Sequence, residues 1–557
     1  ELIDDEDNLE KIIPYYNTRR QISQNKIRKL IRYVLDYLRL KNSDDIFDID
    51  TLKLFDMPNH LDALENCHFP SASSYDDALT IFEQSRKRFV LEEIISRNLR
   101  IAEINKKSRN KLSHKFNFDK KDIEKYINSF PFELTKSQYH AVDLVCNDLL
   151  RDYASSRLIQ GDVGCGKTVV SVIGVYATYM SNLQTAFLAP TELLVDQHYH
   201  YIQNLFSGKN IKIAYLKSSM STKLRDKTIK CLKSGDIDIV IGTHSLLNSS
   251  VTFKNLGLCI IDEQHKFGIN QRSSLVKNRD SSGLHPHVIY MSATPIPRSL
   301  ALVLYQGLDY TTIKDMPKGR KDVITERVDS DQRTIMYSKI NDRLQSGEQI
   351  FWVCPAINTG ESSELESVYS TYDVISKVFK DYTISVLHGQ LDDEVEADTI
   401  KKFRDGKIDI LVCTTVIEVG VDIPNATCIV IEDSDRFGLS QLHQLRGRVG
   451  RSTRQGFCFI TCKSKLNENA EMRLNSLSLH SNGFKIAEED LSIRGSGDFF
   501  GNRQSGHLNN FKLATLQDFI TNVDIIKNLQ LRISNLSDIT RTQLLKRWRN
   551  EEENLKL

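Results

Sequence analysis

Two successive series of short apolar runs constrain this chain more than any other feature in it. The first series holds "TAFLAP" (185–190), "DIVIGT" (238–243), "LCIIDE" (258–263) and "VIYMSAT" (288–294). The second holds "QIFWVCPAI" (349–357), "ISVLHG" (384–389), "DILVCTTV" (409–416), "CIVIED" (428–433) and "GFCFIT" (456–461). The runs are continuous rather than alternating, and helical patterning separates each from the next. A strand that is apolar at every residue has both faces covered, and such strands joined by helical crossovers form parallel sheets. The series breaks at "MPKGRKD" (316–322), a polar stretch with a proline and a glycine, and then restarts. The expected fold class is therefore α/β, with two parallel-sheet domains in tandem and a linker between them.

Helical patterning flanks this core. "KIRKLIRYVLDYLRL" (26–40) puts Ile27, Leu30, Ile31, Val34, Leu35 and Leu38 on one face, and a second helix is expected over roughly 75–105. Both read as packing helices. The "RKR" at 86–88 reads as a solvated face, with nucleic-acid contact as the alternative. After 465 the chain is helical again, and no fixed-period repeat runs through it. A length of 557 residues exceeds one core and points to three or four domains.

Composition narrows the class only a little. Formal net charge is +1, which neither supports nor excludes a nucleic-acid partner, so any phosphate-binding track must be local. The ten cysteines include no CxxC pair, as in a reducing compartment. Cys458 and Cys462 lie in or beside an apolar run and read as buried thiols rather than metal ligands. No apolar run reaches the ~18 residues that span a bilayer. The first ten residues, six of them acidic and none basic, read as a solvated segment, and the chain opens on Glu rather than Met.

The chemistry starts at "GDVGCGKT", Gly161, Asp162, Val163, Gly164, Cys165, Gly166, Lys167 and Thr168. It fits the phosphate-loop pattern, follows the strand "RLIQ" and opens the helix "VVSVIGVYATYM". A glycine turn can match this pattern by chance, but here both flanking elements are in place. Small residues let backbone N–H groups turn toward phosphates at a helix N-terminus. Lys167 then reaches the β and γ phosphates, and Thr168 holds Mg²⁺. "LCIIDEQH" ends a buried strand in two carboxylates, which are costly there without a cation or proton to bind. Asp262 is expected to hold Mg²⁺ through water, and Glu263 to orient and deprotonate the attacking water. In "QLHQLRGRVGR" (441–451), Arg446, Arg448 and Arg451 cluster within six residues. They form either a surface ion-pair cluster or, for Arg448 and Arg451, arginine fingers that reach the γ-phosphate when the two domains close.

These segments, with "APTELLVDQH", "IGTHSLL", "MSATPIPR" and "TTVIEVGVDIPNA", stand in the order found in superfamily 2 helicases and translocases. The full set resembles the RecG family of bacterial ATP-dependent DNA helicases over nearly the whole chain, most strongly from Phe132 to Gly506. "FELTKSQ" resembles the glutamine motif of such motors, in which the Gln138 amide reads adenine. "GFKIAEEDLSIRGSGDFFGNRQSG" (483–506) resembles the translocation motif that the RecG family shares with the transcription-repair translocase Mfd. In that family a helical hairpin and the loop after it turn cleft closure into a pull on duplex DNA. Arg494, Arg503 and Gln504 would be polar levers, and glycines 495, 497, 501 and 506 would permit hinges.

The resemblance implies two tandem RecA-like domains with a helical linker before them and a helical hairpin after them. By residue, it implies a remnant of an OB-fold wedge domain at 1–25, a helical linker region at 26–130, the ATP-binding helicase domain at 131–325 and the C-terminal helicase domain at 326–465. The translocation hairpin and loop follow at 466–512 and a helical tail at 513–557. Pro190, Thr191, Gly242, Thr243, Thr414 and Thr415 lie at strand ends where such motors grip phosphates, although each hydroxyl equally suits a local turn or cap. Gln264, His265, Ser292, Thr294, Gly420, Asp422 and Gln444 would couple the nucleotide to the DNA side.

The implied cofactors are ATP and Mg²⁺. The implied partners are branched and double-stranded DNA, meaning forks and Holliday junctions, together with single-strand-binding protein. A monomer with 3′-to-5′ polarity is implied, cytoplasmic and nucleoid-associated, with no membrane. Three departures stand out: Cys165 in place of the family's usual Ser, Ser496 in place of Pro, and Asp498 in place of Glu. With the wedge mostly outside the chain, ATP hydrolysis is expected to survive and fork unwinding to be poor. An Mfd-like translocase is the alternative, but it needs a polymerase-binding module upstream. A non-cycling ATP-gated DNA scaffold would need damage in the phosphate loop, the acidic pair or the arginine fingers, and all three are intact.

Overall fold

The computed structural model describes residues 14–16, 23–41, 45–72, 74–108, 111–263, 282–293, 308–329, 332–355, 361–418, 423–451, 454–462 and 466–498, with 512–515, 518, 521–522, 525–526, 528 and 538–548 beyond them. The chain divides into two compact units. One comprises 1–105, 298–307 and 496–557; the other comprises 106–297 and 308–495.

The first unit opens with helices α1 (Gln24–Leu40), α2 (Ile49–Leu54), α3 (His60–His68) and α4 (Tyr75–Ser108). The starts of α2, α3 and α4 are set by short polar side chains that satisfy orphan N–H groups. Asp48 accepts from Thr51 N at 2.6 Å, Asn59 from Asp62 N at 2.9 Å, and Ser74 Oγ from Asp77 N at 3.1 Å. The expected packing face of α1 is only partly buried: Leu35 is inside, while Leu30 and Val34 are exposed.

The second unit carries α5 (Lys120–Asn128), α6 (Lys136–Leu149) and then the alternation that the apolar runs predict. Its first half contains β1 (Ser156–Gly161), α7 (Lys167–Met180), β2 (Gln184–Leu188), α8 (Glu192–Leu205), β3 (Ile213–Leu216), α9 (Thr222–Ser234), β4 (Ile239–Gly242), β5 (Leu256–Ile261), β6 (His287–Ser292) and β7 (Asp309–Ile313). Its second half contains β8 (Ile324–Val328), α10 (Arg333–Gln345), β9 (Gln349–Val353), α11 (Glu361–Val378), β10 (Ile384–Leu387), α12 (Asp393–Arg404), β11 (Ile410–Cys413), β12 (Ala426–Ile431), α13 (Leu439–Arg446) and β13 (Phe457–Thr461). A helical hairpin, α14 (Glu468–Leu479) and α15 (Gly483–Asp498), ends it. The chain then returns to the first unit, where α16 (Asp538–Arg547) lies.

The strands form two parallel sheets, in the orders β3-β4-β2-β5-β6-β1-β7 and β10-β11-β9-β12-β13-β8. Period-two alternation sends successive residues of each strand into different cores. Leu258 and Ile260 of β5 join one core, and Cys259 and Ile261 join the other. In β9, Phe351 and Val353 face one side, and Ile350 and Trp352 the other. Both faces are therefore dry, which is why these runs show no alternation. α7 shows the same burial overriding local preference. Val169, Val170, Val172, Ile173 and Val175 are poor helix formers in isolation, yet all are buried.

The "RKR" reading needs correction at one residue. Arg88 is fully buried; it donates to Asp45 at 2.6 Å, to Glu92 at 2.9 Å and to the Pro58 carbonyl at 2.8 Å. Arg86 pairs with Asp518 at 2.8 Å. The spacing i, i+4 on α4 places Arg88 and Glu92 on one inward face. Gly495 and Gly497, expected as hinges, lie within the span of α15. Gly501, Arg503, Gln504 and Gly506 lie outside the described residues, as does the side chain of Arg494.

Candidate active site

The candidate residues of the first sheet gather at the carboxyl ends of its strands, where open α/β sheets take ligands. β1 ends at Gly161, and the loop that follows is cramped. Gly164 (φ +76°) and Gly166 (φ +87°) adopt left-handed backbone that side chains resist. A Cβ on Gly166 would lie 2.2 Å from Gln138 Nε2, and one on Gly164 would lie 2.0 Å from Arg320 Nη1. Lys167 folds over this loop and donates from Nζ to the carbonyls of Gly161 (2.9 Å) and Asp162 (3.0 Å). Charged phosphate oxygens are stronger acceptors than amide carbonyls, so the ammonium is placed to exchange one set for the other. Thr168 follows at the start of α7, half-buried. Cys165 is buried, and a Cβ on Gly161 would lie 2.3 Å from its Sγ. The thiol thus packs inward, and burial pushes it up from its usual range.

Gln138 serves two local purposes. Its Oε1 accepts from Thr135 N (2.8 Å) in a capping box at the start of α6, and its Nε2 donates to the Cys165 carbonyl (2.8 Å). This brings the glutamine against the phosphate loop.

Asp262 follows β5, with its N–H held by the Leu188 carbonyl at 2.9 Å. Its Oδ2 lies 2.9 Å from His198 Nε2 on α8, and its Oδ1 accepts from Glu263 N at 3.0 Å. Burial alone would push this carboxyl up; the His198 contact, with the Lys167 charge beyond it, holds it below the usual carboxylate range. Glu263 has φ +46°, left-handed for a residue with a side chain, at a cost of about 1 kcal/mol or more. Its Oε2 accepts from Ala293 N at 3.3 Å. Ser292, buried at the end of β6, sits in register with Gln160 of β1.

The second sheet brings α13 and the turn after it to the same loop. A Cβ on Gly447 would lie 2.8 Å from Val163 Cβ, so only a glycine permits this approach. Arg448 is buried and donates to the Glu418 carbonyl at 2.6 Å. Arg451 donates from Nε to the Gly447 carbonyl at 3.1 Å. Arg446 is a buried strut, bonded to the Leu477 carbonyl (2.6 Å), the Ser481 carbonyl (3.2 Å) and His443 Nδ1 (2.9 Å). The surface-cluster reading therefore does not hold for Arg446 and Arg448. Gln444 is buried on the same helix.

Two of the strand-end hydroxyls have local bonds. Thr191 caps α8, its Oγ1 accepting from Leu194 N at 3.3 Å, and Thr243 Oγ1 lies 3.3 Å from Ser245 Oγ. Pro190 precedes that cap and Gly242 ends β4; Thr414 is buried just past β11, and Thr415 opens a 3₁₀ turn. Gln264, His265, Thr294, Gly420 and Asp422 lie outside the described residues.

Three residues at this site escape a sequence reading. His198 lies within the quoted "VDQH" and His443 within "QLHQL", but nothing in either segment names its partner. Arg320 sits in the polar linker yet donates to the Val163 carbonyl at 2.6 Å. Burial, then the Arg451 guanidinium nearby, lowers its affinity for its proton. A basic residue in a linker between two sheet domains was the available signal.

The DEAD/DEAH box helicase family matches residues 135–303, and the helicase conserved C-terminal domain matches 329–453. The "ATP-dependent DNA helicase RecG" of Thermotoga maritima is 40% identical over 509 residues, covering 91% of this chain and 63% of that protein. The protein of the same name from Borreliella burgdorferi is 37% identical over 517 residues, covering 92% and 73%. A solved structure of RecG bound to a three-way DNA junction superposes with a TM-score of 0.69 at 35% identity, over 93% of this chain and 66% of that one. The chain thus spans about two thirds of the length of such proteins. Identity of 37% over 517 residues, 73% of the relative's own length, with both helicase domain families matched in order, places the chain in the RecG family of ATP-dependent DNA helicases.

Proposed function

We propose that this chain is the ATP-driven motor of a RecG-type enzyme, which translocates on double-stranded DNA to remodel stalled forks and branch-migrate Holliday junctions in recombination and repair. The observation that supports this reading is the close approach of the Gly447 turn, which also bears Arg448 and Arg451, to the loop that holds Lys167, with Asp262 in the field of the Lys167 charge and Glu263 next to it. A phosphoryl transfer needs chiefly positioning and charge neutralisation, and this set supplies both. Lys167 leaves the loop carbonyls for the β and γ phosphates. Glu263, held by the Ala293 amide, orients and deprotonates the attacking water. Arg448 and Arg451 exchange backbone carbonyls for the charge that develops on the γ-phosphate.

Hard oxygen donors suit Mg²⁺. Thr168 and Asp262 would hold it, and it would neutralise phosphate charge. The Gln138 amide, which meets the cap and the loop here, would read adenine. The strand-end residues Thr191, Thr243, Thr414 and Thr415 would grip DNA phosphates, and Arg494 and Gln504 would act in the translocation motif. Gln264, His265, Ser292, Thr294, Gly420, Asp422 and Gln444 would link the two ends. The relative's three-way junction supports a branched DNA substrate for this chain. A monomer with 3′-to-5′ polarity, working in the bacterial nucleoid with single-strand-binding protein nearby, follows from family likeness.

The test is ATP turnover by the chain with and without a forked duplex. Turnover stimulated by the fork, and lowered by about 10² or more in Glu263→Gln while ATP still binds, is the expected result. Turnover indifferent to DNA, or to Glu263→Gln, would sink the reading.

A further inference from the structure

One carboxylate of the phosphate loop is turned away from the nucleotide cradle. Asp162 is buried, and its two oxygens are taken by donors from three places in the chain. Oδ1 accepts from Val163 N within the loop (2.7 Å) and lies 2.6 Å from His443 Nε2 on α13. Oδ2 accepts from Gly483 N, the first residue of α15, at 2.8 Å. Burial alone would raise this carboxyl; His443 and the Gly483 and Val163 amides together bring it down to about 2. The three donors thus favour the ionised carboxylate.

The orientation of His443 follows from its other neighbour. Arg446 Nη2 can only donate, and it lies 2.9 Å from His443 Nδ1. The ring proton therefore sits on Nε2 and points at Asp162. Arg446 goes on to the carbonyls of Leu477 and Ser481, at the end of α14 and in the turn before α15. Ser481 Oγ donates in turn to Asp322 of the linker at 3.2 Å. The hairpin turn is thus fastened to the phosphate loop directly at Gly483 and indirectly through Arg446 and His443.

The same residue touches the nucleotide machinery from its other side. The Asp162 carbonyl is one of the two acceptors that hold Lys167 Nζ. When phosphate draws Lys167 off that carbonyl, the Asp162 peptide loses a charged donor and is free to turn. Its carboxylate cannot turn without straining or breaking the bonds to His443 and Gly483. Packed interfaces of this kind shift between discrete arrangements rather than deforming smoothly.

We propose that Asp162 and His443 are a positioning pair that reports the state of the phosphate loop to the α14–α15 hairpin. The hairpin then senses nucleotide through the loop itself as well as through the arginines of the second sheet. The proposal rests on the nucleotide-binding reading of the loop.

Hydrogen exchange at the Gly483 amide, with binding of a fluorescent non-hydrolysable ATP analogue plus Mg²⁺ followed on the same samples, tests it. The two informative variants are His443→Asn and His443→Gln. Asparagine keeps an acceptor for Arg446 near the Nδ1 position and withdraws the donor from Asp162; glutamine keeps a donor near the Nε2 position. In the wild-type chain, saturating analogue should change Gly483 exchange at least threefold. In His443→Asn the change should vanish, with affinity for the analogue within about twofold. In His443→Gln most of the response should return, a split that a merely structural role would not produce. An equal response in wild type and His443→Asn, with equal binding, overturns the proposal, as does a wild-type chain that binds the analogue without any change at Gly483. A chain that does not bind the analogue at all refutes the nucleotide reading instead, and the proposal falls with it. Should His443→Asn prove unfolded by circular dichroism, exchange at Gly483 in the wild-type chain with and without the analogue still decides the matter.

Discussion

His287, at the first position of β6, is a histidine that packing keeps uncharged. It is buried, its Nδ1 lies 2.6 Å from Ser155 Oγ, and its ring meets Phe116 edge-on. Burial, then the Arg151 charge and the neighbouring His114, pushes it down to about 3. Between that value and its ordinary one near 6.5, the unfolded chain holds a proton that the folded chain refuses. The stability due to this residue is therefore complete above pH ~6.5 and lost as pH falls, by up to about 1.4 kcal/mol per unit. Urea unfolding of the second unit at pH 7 and pH 5 should differ by about 2 kcal/mol from this group. His287→Asn, which keeps an acceptor for Ser155, should remove that part of the difference. An unchanged pH slope in the variant would place the acid sensitivity elsewhere. Arg320 makes a second prediction at this scale. Its guanidinium covers the Val163 carbonyl beside the loop, so Arg320→Ala should change ATP affinity, read as KM, by about tenfold in either direction. No change in KM would make it packing alone.

At the scale of elements, α4 is held by charge as well as by its apolar face. Glu92 is fully buried and receives Arg88, Arg547 (3.1 Å) and the Trp548 indole N–H (3.3 Å). The next residue, Glu93, about 100° around the helix, accepts from three successive backbone amides, Lys512, Leu513 and Ala514, at 2.5–2.9 Å. These two carboxylates fasten the returning C-terminal segment to a helix more than 400 residues earlier. Breaking a buried pair leaves an uncompensated charge, so Glu92→Ala should cost about 3 kcal/mol in urea unfolding, and Glu92→Gln, which keeps an acceptor, distinctly less. Equal losses below about 1 kcal/mol would mean that water already reaches the cluster. None of this was legible in "RKR", because a charged triplet looks the same in sequence whether its partners are solvent or a distant helix. The strands show the same limit. Every run found as an apolar stretch is a strand, whereas β3, β7 and β8 escaped notice. All three are sheet edges, with several residues only half-buried. An edge strand has fewer neighbours to demand apolar side chains, so its signal fades, although the fourth edge, β10, kept enough of it to be read. Lys167, Asp262 and Glu263 were legible because phosphate chemistry fixes residue types at fixed spacing beside a strand and a helix. His198, His443 and Arg320 were not, since each earns its place by a contact across the fold.

For the whole molecule, the division into two units sets what a ligand can stabilise. Every described residue proposed to touch the nucleotide, from Gln138 to Arg451, lies in the unit of 106–297 and 308–495. The other unit has its own core, in which Ile46 and Phe47 meet Val90, Leu91, Ile94 and Ile95 of α4 and Leu544 of α16. A ligand that binds only the folded state stabilises by RT ln(1 + [L]/Kd), about 2.7 kcal/mol at a hundredfold excess over Kd. Spread over the unfolding entropy of a unit this size, that is a rise of about 3 °C. Calorimetry of the full chain should therefore resolve a transition that moves up with Mg²⁺ and a non-hydrolysable ATP analogue, and another that stays. Glu92→Ala should do the reverse, lowering the second while sparing the first. A single transition that responds to both the analogue and Glu92→Ala would show that the two cores melt as one cooperative body. The anchoring of α4 to the C-terminal segment would then be part of the motor's own stability, and the analogue should offset in that one transition part of what Glu92→Ala removes.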